Sequence, residues 1–198
     1  MSRKRVAILI SGRGSNMSAL IGAAKAADYP AQIVGVFSNV LDAPGLSTAA
    51  ASGITTAARS QRDYASKPAF EAAMDEVLTG WAPDIVALAG YMRLLSPDFC
   101  TRWAGKLINI HPSLLPLHKG LHTHEQALAE GVAEHGCTVH FVTPGMDEGP
   151  IIAQAKVPVL PGDTAETLAA RVLVEEHKLY PAALAMLARG EVDERART

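Results

Sequence analysis

Asn109 and His111 stand two residues apart at the end of a short apolar run, in LINIHPSLLP, Leu107 to Pro116. In an extended chain, residues i and i+2 share a face, so the amide and the imidazole point one way while Ile108 and Ile110 point into the opposite layer. An amide N–H and an imidazole on one face can both donate to one oxygen. A strand-end histidine held by hydrogen bonds for structure alone is the competing reading. Downstream, TPGMDEGPII carries Asp147 in a Gly- and Pro-bounded loop between two strands, a place where functional side chains are often mounted. An ordinary surface turn would look the same.

A second chemical feature is SGRGSN, Ser11 to Asn16, which follows the first strand and opens the first helix. Free backbone N–H groups and the positive helix end make such a loop a ready anion site. The dinucleotide fingerprint is incomplete. After Gly12 and Gly14 the third glycine position holds Met17, and Ser38 and Asn39 end the second strand where an acidic residue would be needed. The loop therefore suits a single phosphate, bound through the N–H groups of Ser11 to Asn16, better than a pyrophosphate. A tight strand-to-helix turn capped by Ser15 or Asn16 is the alternative.

The elements that must position these groups recur with a steady rhythm. Apolar β-type runs occur at 6–10, 32–38, 84–89, 107–110 and 137–142, with Ala-rich stretches of helical spacing between them, such as MSALIGAAKAA and AFEAAMDEVLTG. Strand alternating with helix predicts an α/β fold: a single open, mostly parallel twisted sheet with helices on both faces. A catalytic pair at the end of a strand then sits at the carboxyl edge of the sheet, where such folds bind ligands. The run at 151–159 contains Pro158, which places it near a sheet edge. After it a long helix is predicted, capped by Asp163 or Thr164 and kinked at Pro181.

Length and composition narrow the function classes. The 198 residues fit one domain, 1–198, with a single sizeable core. With 18 Lys+Arg against 20 Asp+Glu there is no basic surplus to bind nucleic acid or an anionic membrane, and no apolar run approaches a membrane span, so small-molecule ligands are expected. Cys100 and Cys137 stand apart and outside any CxxC pattern, which suits a reducing, cytoplasmic compartment. Apart from the adjacent Glu125, His122 and His124 have no nearby acidic or cysteine partner that would make them a metal pair, and no metal is expected. His140 alternates with Val139 and Phe141 and either faces the site or is a satisfied core group.

SGRGSN, NIHPSLLP, GLHTH and MDEGP, in this order and at these separations, closely resemble the glycinamide ribonucleotide branch of the folate-dependent formyltransferase family. The likeness runs from VAILISGRGSN to EEHKLYPAAL, nearly the whole chain. The Asn-x-His plus Asp set is shared by the wider family of enzymes that use 10-formyltetrahydrofolate, whereas GLHTH and the GSN loop point to this branch. The resemblance implies transfer of a formyl group from 10-formyltetrahydrofolate to the amine of glycinamide ribonucleotide, in de novo purine biosynthesis. Asn109 and protonated His111 would stabilise the tetrahedral oxyanion, each by ~3 kcal/mol. Asp147 would orient His111 and position water for proton transfer.

The same resemblance assigns the remaining contacts. Gly12, Arg13, Gly14, Ser15 and Asn16 correspond to the ribonucleotide's phosphate cradle, and Glu176 in EEHKLYP to the acid that holds the ribose hydroxyls. Met92, Arg93, Leu94 and Leu95 correspond to one wall of the folate pocket. The opposite wall is Thr143 to Gly149, with Thr143, Met146 and Asp147 in contact, and Asn109 is a further folate contact. The Arg93 side chain reads equally well as a solvated surface group. The N-terminal part would bind phosphate and the C-terminal part would bind folate and carry the chemistry, in a monomer or homodimer. Two relatives that share the trio fit less well. Methionyl-tRNA formyltransferase resembles a longer chain with a basic tRNA-binding domain, and formyltetrahydrofolate hydrolase carries an extra N-terminal domain.

Overall fold

The apolar run of β1 (Lys4–Ile10) is buried over its last five residues, as a strand flanked on both sides and covered on both faces must be. The computed structural model describes residues 2–192; residue 1 and residues 193–198 of the expected domain lie outside the described residues. In chain order β1 is followed by α1 (Ser15–Ala24), β2 (Ala31–Ser38), α2 (Pro44–Ala51), β3 (Thr56–Ala58), a 3-10 turn (Gln61–Asp63) and α3 (Lys67–Trp81). Then come β4 (Ile85–Leu88), α4 (Pro97–Arg102), β5 (Leu107–His111), α5 (Thr123–Glu130), β6 (Glu134–Phe141), β7 (Ile151–Pro158) and α6 (Ala165–Ala188).

The strands form one open sheet in the order β3-β2-β1-β4-β5-β6-β7. The first five are parallel, while β6 runs antiparallel to β5 and β7 antiparallel to β6, so β7 is an edge strand and Pro158 lies at its end. Alternation sorts the core into two layers. Ile8, Ile10, Ile108 and Ile110 pack with Met17 and Leu20 of α1 and with Tyr180 and Leu184 of α6. Ala7, Leu9, Leu88 and Leu107 pack on the other face with Phe70, Met74 and Leu78 of α3 and Phe99 of α4. The sheet is therefore mostly parallel with helices on both faces.

Strand order reverses between β1 and β4, which opens a crevice outside their carboxyl ends. The loops after β1, β4 and β5 all empty into it. Two elements have no clear sequence signal: α2, in PGLSTAAA, and the three-residue β3. β6 begins three residues earlier than its apolar run, at Glu134.

Helix ends depart from expectation at α1 and agree at α6. Neither Ser15 nor Asn16 caps α1; the N-cap is Gly14, at φ 70, with no side-chain hydrogen bond to the first turn. That left-handed conformation favours glycine. At α6, Thr164 is the cap, in a reciprocal box with Thr167, and Asp163 instead pairs with Arg171 at 2.7 Å. The helix runs on past Pro181. Its fully buried Tyr180 donates to the Leu88 carbonyl at 2.8 Å, with the Ile108 carbonyl 3.3 Å away, and so bridges β4 and β5 next to the crevice. No helix of the described residues is long and apolar enough to cross a membrane.

Candidate active site

β5 ends with Asn109 half-buried and His111 buried, both on the face away from Ile108 and Ile110, as their spacing requires. They line a cleft of about 690 Å³ that also takes in Asp147, Asn16 and Glu176. The turn after β5 is fixed by Thr138 of β6, whose hydroxyl donates to the Ser113 carbonyl at 2.7 Å and accepts the Leu115 N–H at 3.0 Å.

Antiparallel pairing sets His140 of β6 directly opposite Asn109. The His140 Nδ1 lies 2.8 Å from the Phe141 carbonyl, which can only accept, so Nδ1 carries the proton. Burial lowers the imidazole's pKa and outweighs the nearby Asp147 carboxylate, leaving Nε2 with a free lone pair. That lone pair accepts from Asn109 Nδ2 at 3.3 Å. The Asp147 Oδ1 approach of 3.8 Å to the same nitrogen is consequently not an ion pair. Of the two readings the sequence leaves for His140, the one that faces the site is correct. Its consequence is that one N–H of the Asn109 amide is spent on His140 and the second is left for the cleft.

His111 has an acceptor facing each ring nitrogen. Nε2 lies 3.0 Å from the His118 carbonyl and Nδ1 lies 3.5 Å from Asp147 Oδ2. The first is a good hydrogen bond; the second is too long for one, so the Nδ1 edge can serve another oxygen. Asp147, at φ 53, takes a firmer bond from the Gly120 N–H at 2.9 Å. His111 Nε2 is committed to the chain, while its Nδ1 edge and the Asn109 amide both line the cleft. The loop bearing Asp147 closes tightly: a Cβ on Gly149 would lie 1.8 Å from the Phe141 carbonyl oxygen, so only glycine fits there.

At the other end of the cleft, Asn16 Nδ2 donates to Glu176 Oε2 at 2.7 Å, joining α1 to α6 across 160 residues of sequence. Burial raises the Glu176 pKa, partly offset by this bond. Asn16 Oδ1 is buried without a partner. Such an orphan acceptor beside a carboxylate calls for ligand hydroxyl groups. Among the described residues, the backbone N–H groups of Gly12, Arg13, Gly14, Ser15, Asn16 and Met17 have no partner in the chain. Ser11 is the exception and a correction to the expected cradle, because its N–H is spent on the Gly90 carbonyl at 3.0 Å. Gly12 to Ser15 lie beyond the cleft lining proper, which reaches the loop only at Asn16.

The apolar half of the cleft is walled by Met92, Arg93, Leu94 and Leu95 on one side and Thr143 and Met146 on the other. Met92 and Leu94 are exposed, at 66% and 63%, apolar surface that nothing among the described residues covers. Arg93 has no ion-pair or hydrogen-bond partner among the described residues.

His118, which the sequence left without a role, and His124 cluster with His135. His124 Nδ1 and His135 Nε2 are 3.2 Å apart, His118 stacks edge-on against His135 at 5.5 Å, and His118 Nε2 pairs with Glu130 at 2.9 Å. Burial pushes the His124 pKa down and drives that of His135 to about 4, with the neighbouring imidazoles adding to the latter. The cluster props the loop whose His118 carbonyl and Gly120 N–H hold His111 and Asp147. Among the described residues no group of three or more His, Cys, Asp or Glu side chains is arranged to hold a metal.

A seven-stranded sheet of this order with an Asn-His pair at its carboxyl edge defines a class, and comparison with known proteins agrees. The model of the formyl transferase family matches residues 4–184. The chain belongs to that family. Within it, the chain is similar to phosphoribosylglycinamide formyltransferases. The one from Escherichia coli K12 is 46% identical over 94% of this chain and 88% of its own length. The crystal structure of the one from Brucella melitensis superposes with a TM-score of 0.91 at 59% identity, covering 94% of this chain and 96% of that one. The trifunctional purine biosynthetic protein adenosine-3 of Bos taurus is 50% identical over 96% of this chain, which spans only 19% of that relative.

Proposed function

We propose that the protein is a phosphoribosylglycinamide formyltransferase, moving the formyl group of 10-formyltetrahydrofolate to the amine of glycinamide ribonucleotide in purine biosynthesis. The observation that carries this reading is the convergence of Asn109 Nδ2 and His111 Nδ1 on one cleft with Asp147 behind them. The ribonucleotide's phosphate takes the free N–H groups of residues 12–16. Its ribose diol donates to Glu176 and to the orphan Asn16 Oδ1, and its amine reaches toward Asn109. The pterin of the donor fills the apolar half of the cleft. There the backbone of residues 93–95, with no hydrogen bonds among the described residues, is free to pair with it. One domain suffices, with phosphate held by its N-terminal part and folate by its C-terminal part.

In the reaction the amine attacks the formyl carbon and the carbonyl oxygen becomes anionic. Asn109 Nδ2 and protonated His111 Nδ1 donate to that oxygen; His140 keeps the amide turned the right way, and the His118 carbonyl keeps the imidazole in place. Asp147 carries a water that takes the proton from the new ammonium and delivers it to the departing folate nitrogen as the C–N bond breaks. Both substrates are small molecules, and the chemistry calls for neither a metal nor a covalent enzyme intermediate.

The deciding assay follows loss of the 10-formyl donor by absorbance, with and without glycinamide ribonucleotide. Loss that requires the ribonucleotide is the expected result. Loss at the same rate without it would make the protein a hydrolase of the donor instead.

A further inference from the structure

Ser11 lies where the two substrate regions meet, and its hydroxyl bonds to both sides. It donates to Asn39 Oδ1 at 2.5 Å, just past β2, and accepts the Met92 N–H at 2.8 Å, while its own N–H reaches the Gly90 carbonyl. Three strand-end segments of the crevice are thus tied at one side chain. From Tyr91 to Leu95 the Met92 N–H is the one backbone group that has a hydrogen-bond partner among the described residues. Tyr91 and Leu95 pack their side chains against the core, but the backbone of this wall is hydrogen-bonded at a single point, and that point stands at the base of the anion loop. A serine hydroxyl has one proton and two lone pairs, so it can hold both partners at once; alanine can hold neither.

We propose that Ser11 is a positioning residue that couples the two substrate sites: ordering the anion loop around a phosphate orders the Met92–Leu95 wall and tightens the donor site. This rests on the functional reading above and assigns it a binding linkage. A ligand couples two sites only if it favours one shared arrangement, and the coupling must be reciprocal. Ser11 supplies the shared element.

The test is calorimetric titration of the whole protein with glycinamide ribonucleotide and with tetrahydrofolate, which is the donor without its formyl group and so cannot react. Each is titrated alone and in the presence of the other. In the wild type each ligand should improve the other's affinity about fivefold or more, the low end of measured couplings. Ser11→Ala should still bind both ligands but with coupling reduced to less than twofold, and hydrogen exchange of the 91–95 segment should quicken in the free protein. Ser11→Thr, which keeps the hydroxyl, should restore the coupling. Undiminished coupling in Ser11→Ala, or independent binding in the wild type, overturns the proposal. Failure of the wild type to bind either ligand would overturn the functional reading itself, a different and separable outcome.

Discussion

Acid should loosen this protein through His135. Its imidazole is fully buried beside His124 and His118, and its pKa falls from 6.5 to about 4. The folded chain thus refuses a proton that the unfolded chain takes up below about pH 6.5. For such a group the stabilisation is complete above the unfolded pKa and is lost as pH falls toward the folded one. At 1.36 kcal/mol per unit the full shift is worth about 3 kcal/mol, of which roughly 2 kcal/mol is gone by pH 5. That is a sizeable share of the 5–15 kcal/mol typical of a folded domain. His135→Gln keeps an N–H near the Nε2 position, within reach of His124, but cannot be protonated. Urea unfolding at pH 7.5 and pH 5.0 on both proteins reads the effect. The variant should lose about 2 kcal/mol less stability between the two pH values, whatever its stability at pH 7.5. Equal losses would refute the argument that burial keeps His135 neutral.

Three further outcomes follow from the cleft. Asp147→Asn keeps the size and removes the charge beside His111 and Gly120; turnover should fall by a factor on the order of 10² or more with both KM values within a few-fold, and a large change in KM with kcat intact would contradict the proton-transfer role. Gly14→Val forces a β-branched residue to φ 70 at the start of α1 and should raise the KM for the ribonucleotide well above any change for the folate; equal changes would remove the phosphate assignment. Glu176→Gln should weaken ribonucleotide binding by about tenfold in calorimetry, since one charged acceptor beside Asn16 Oδ1 is lost, and unchanged binding would leave α6 a purely structural helix.

The sheet and the Asn109–His111 pair were legible because each rests on local pattern. VAILI and LINI are apolar runs of strand length, and a two-residue spacing puts Asn109 and His111 on one face whatever the neighbours are. α2 was not legible, because PGLSTAAA is built of small residues whose burial has little periodicity, and a three-residue strand such as β3 falls below any pattern. The role of His140 depends on antiparallel register with a strand 31 residues away. The His118 carbonyl and the Gly120 N–H leave no trace in sequence at all, since every residue has those groups. Asn16 and Glu176, 160 positions apart, could be paired in advance only through resemblance to a family.

Tyr180 gives this distance a meaning for synthesis. The hydroxyl that ties the ends of β4 and β5, and the carboxylate that meets Asn16, both sit on α6, which leaves the ribosome after all seven strands. A nascent chain that has made β5 still lacks the clasp across its carboxyl edge and the carboxylate partner of Asn16. Contacts spanning 92 and 160 residues close late, because their loop entropy must be met before they repay it. The glycine-rich loop, though among the first segments made, meets its carboxylate partner only with the last helix of the described residues, so premature termination before α6 yields a strand-rich fragment whose cleft lacks one wall.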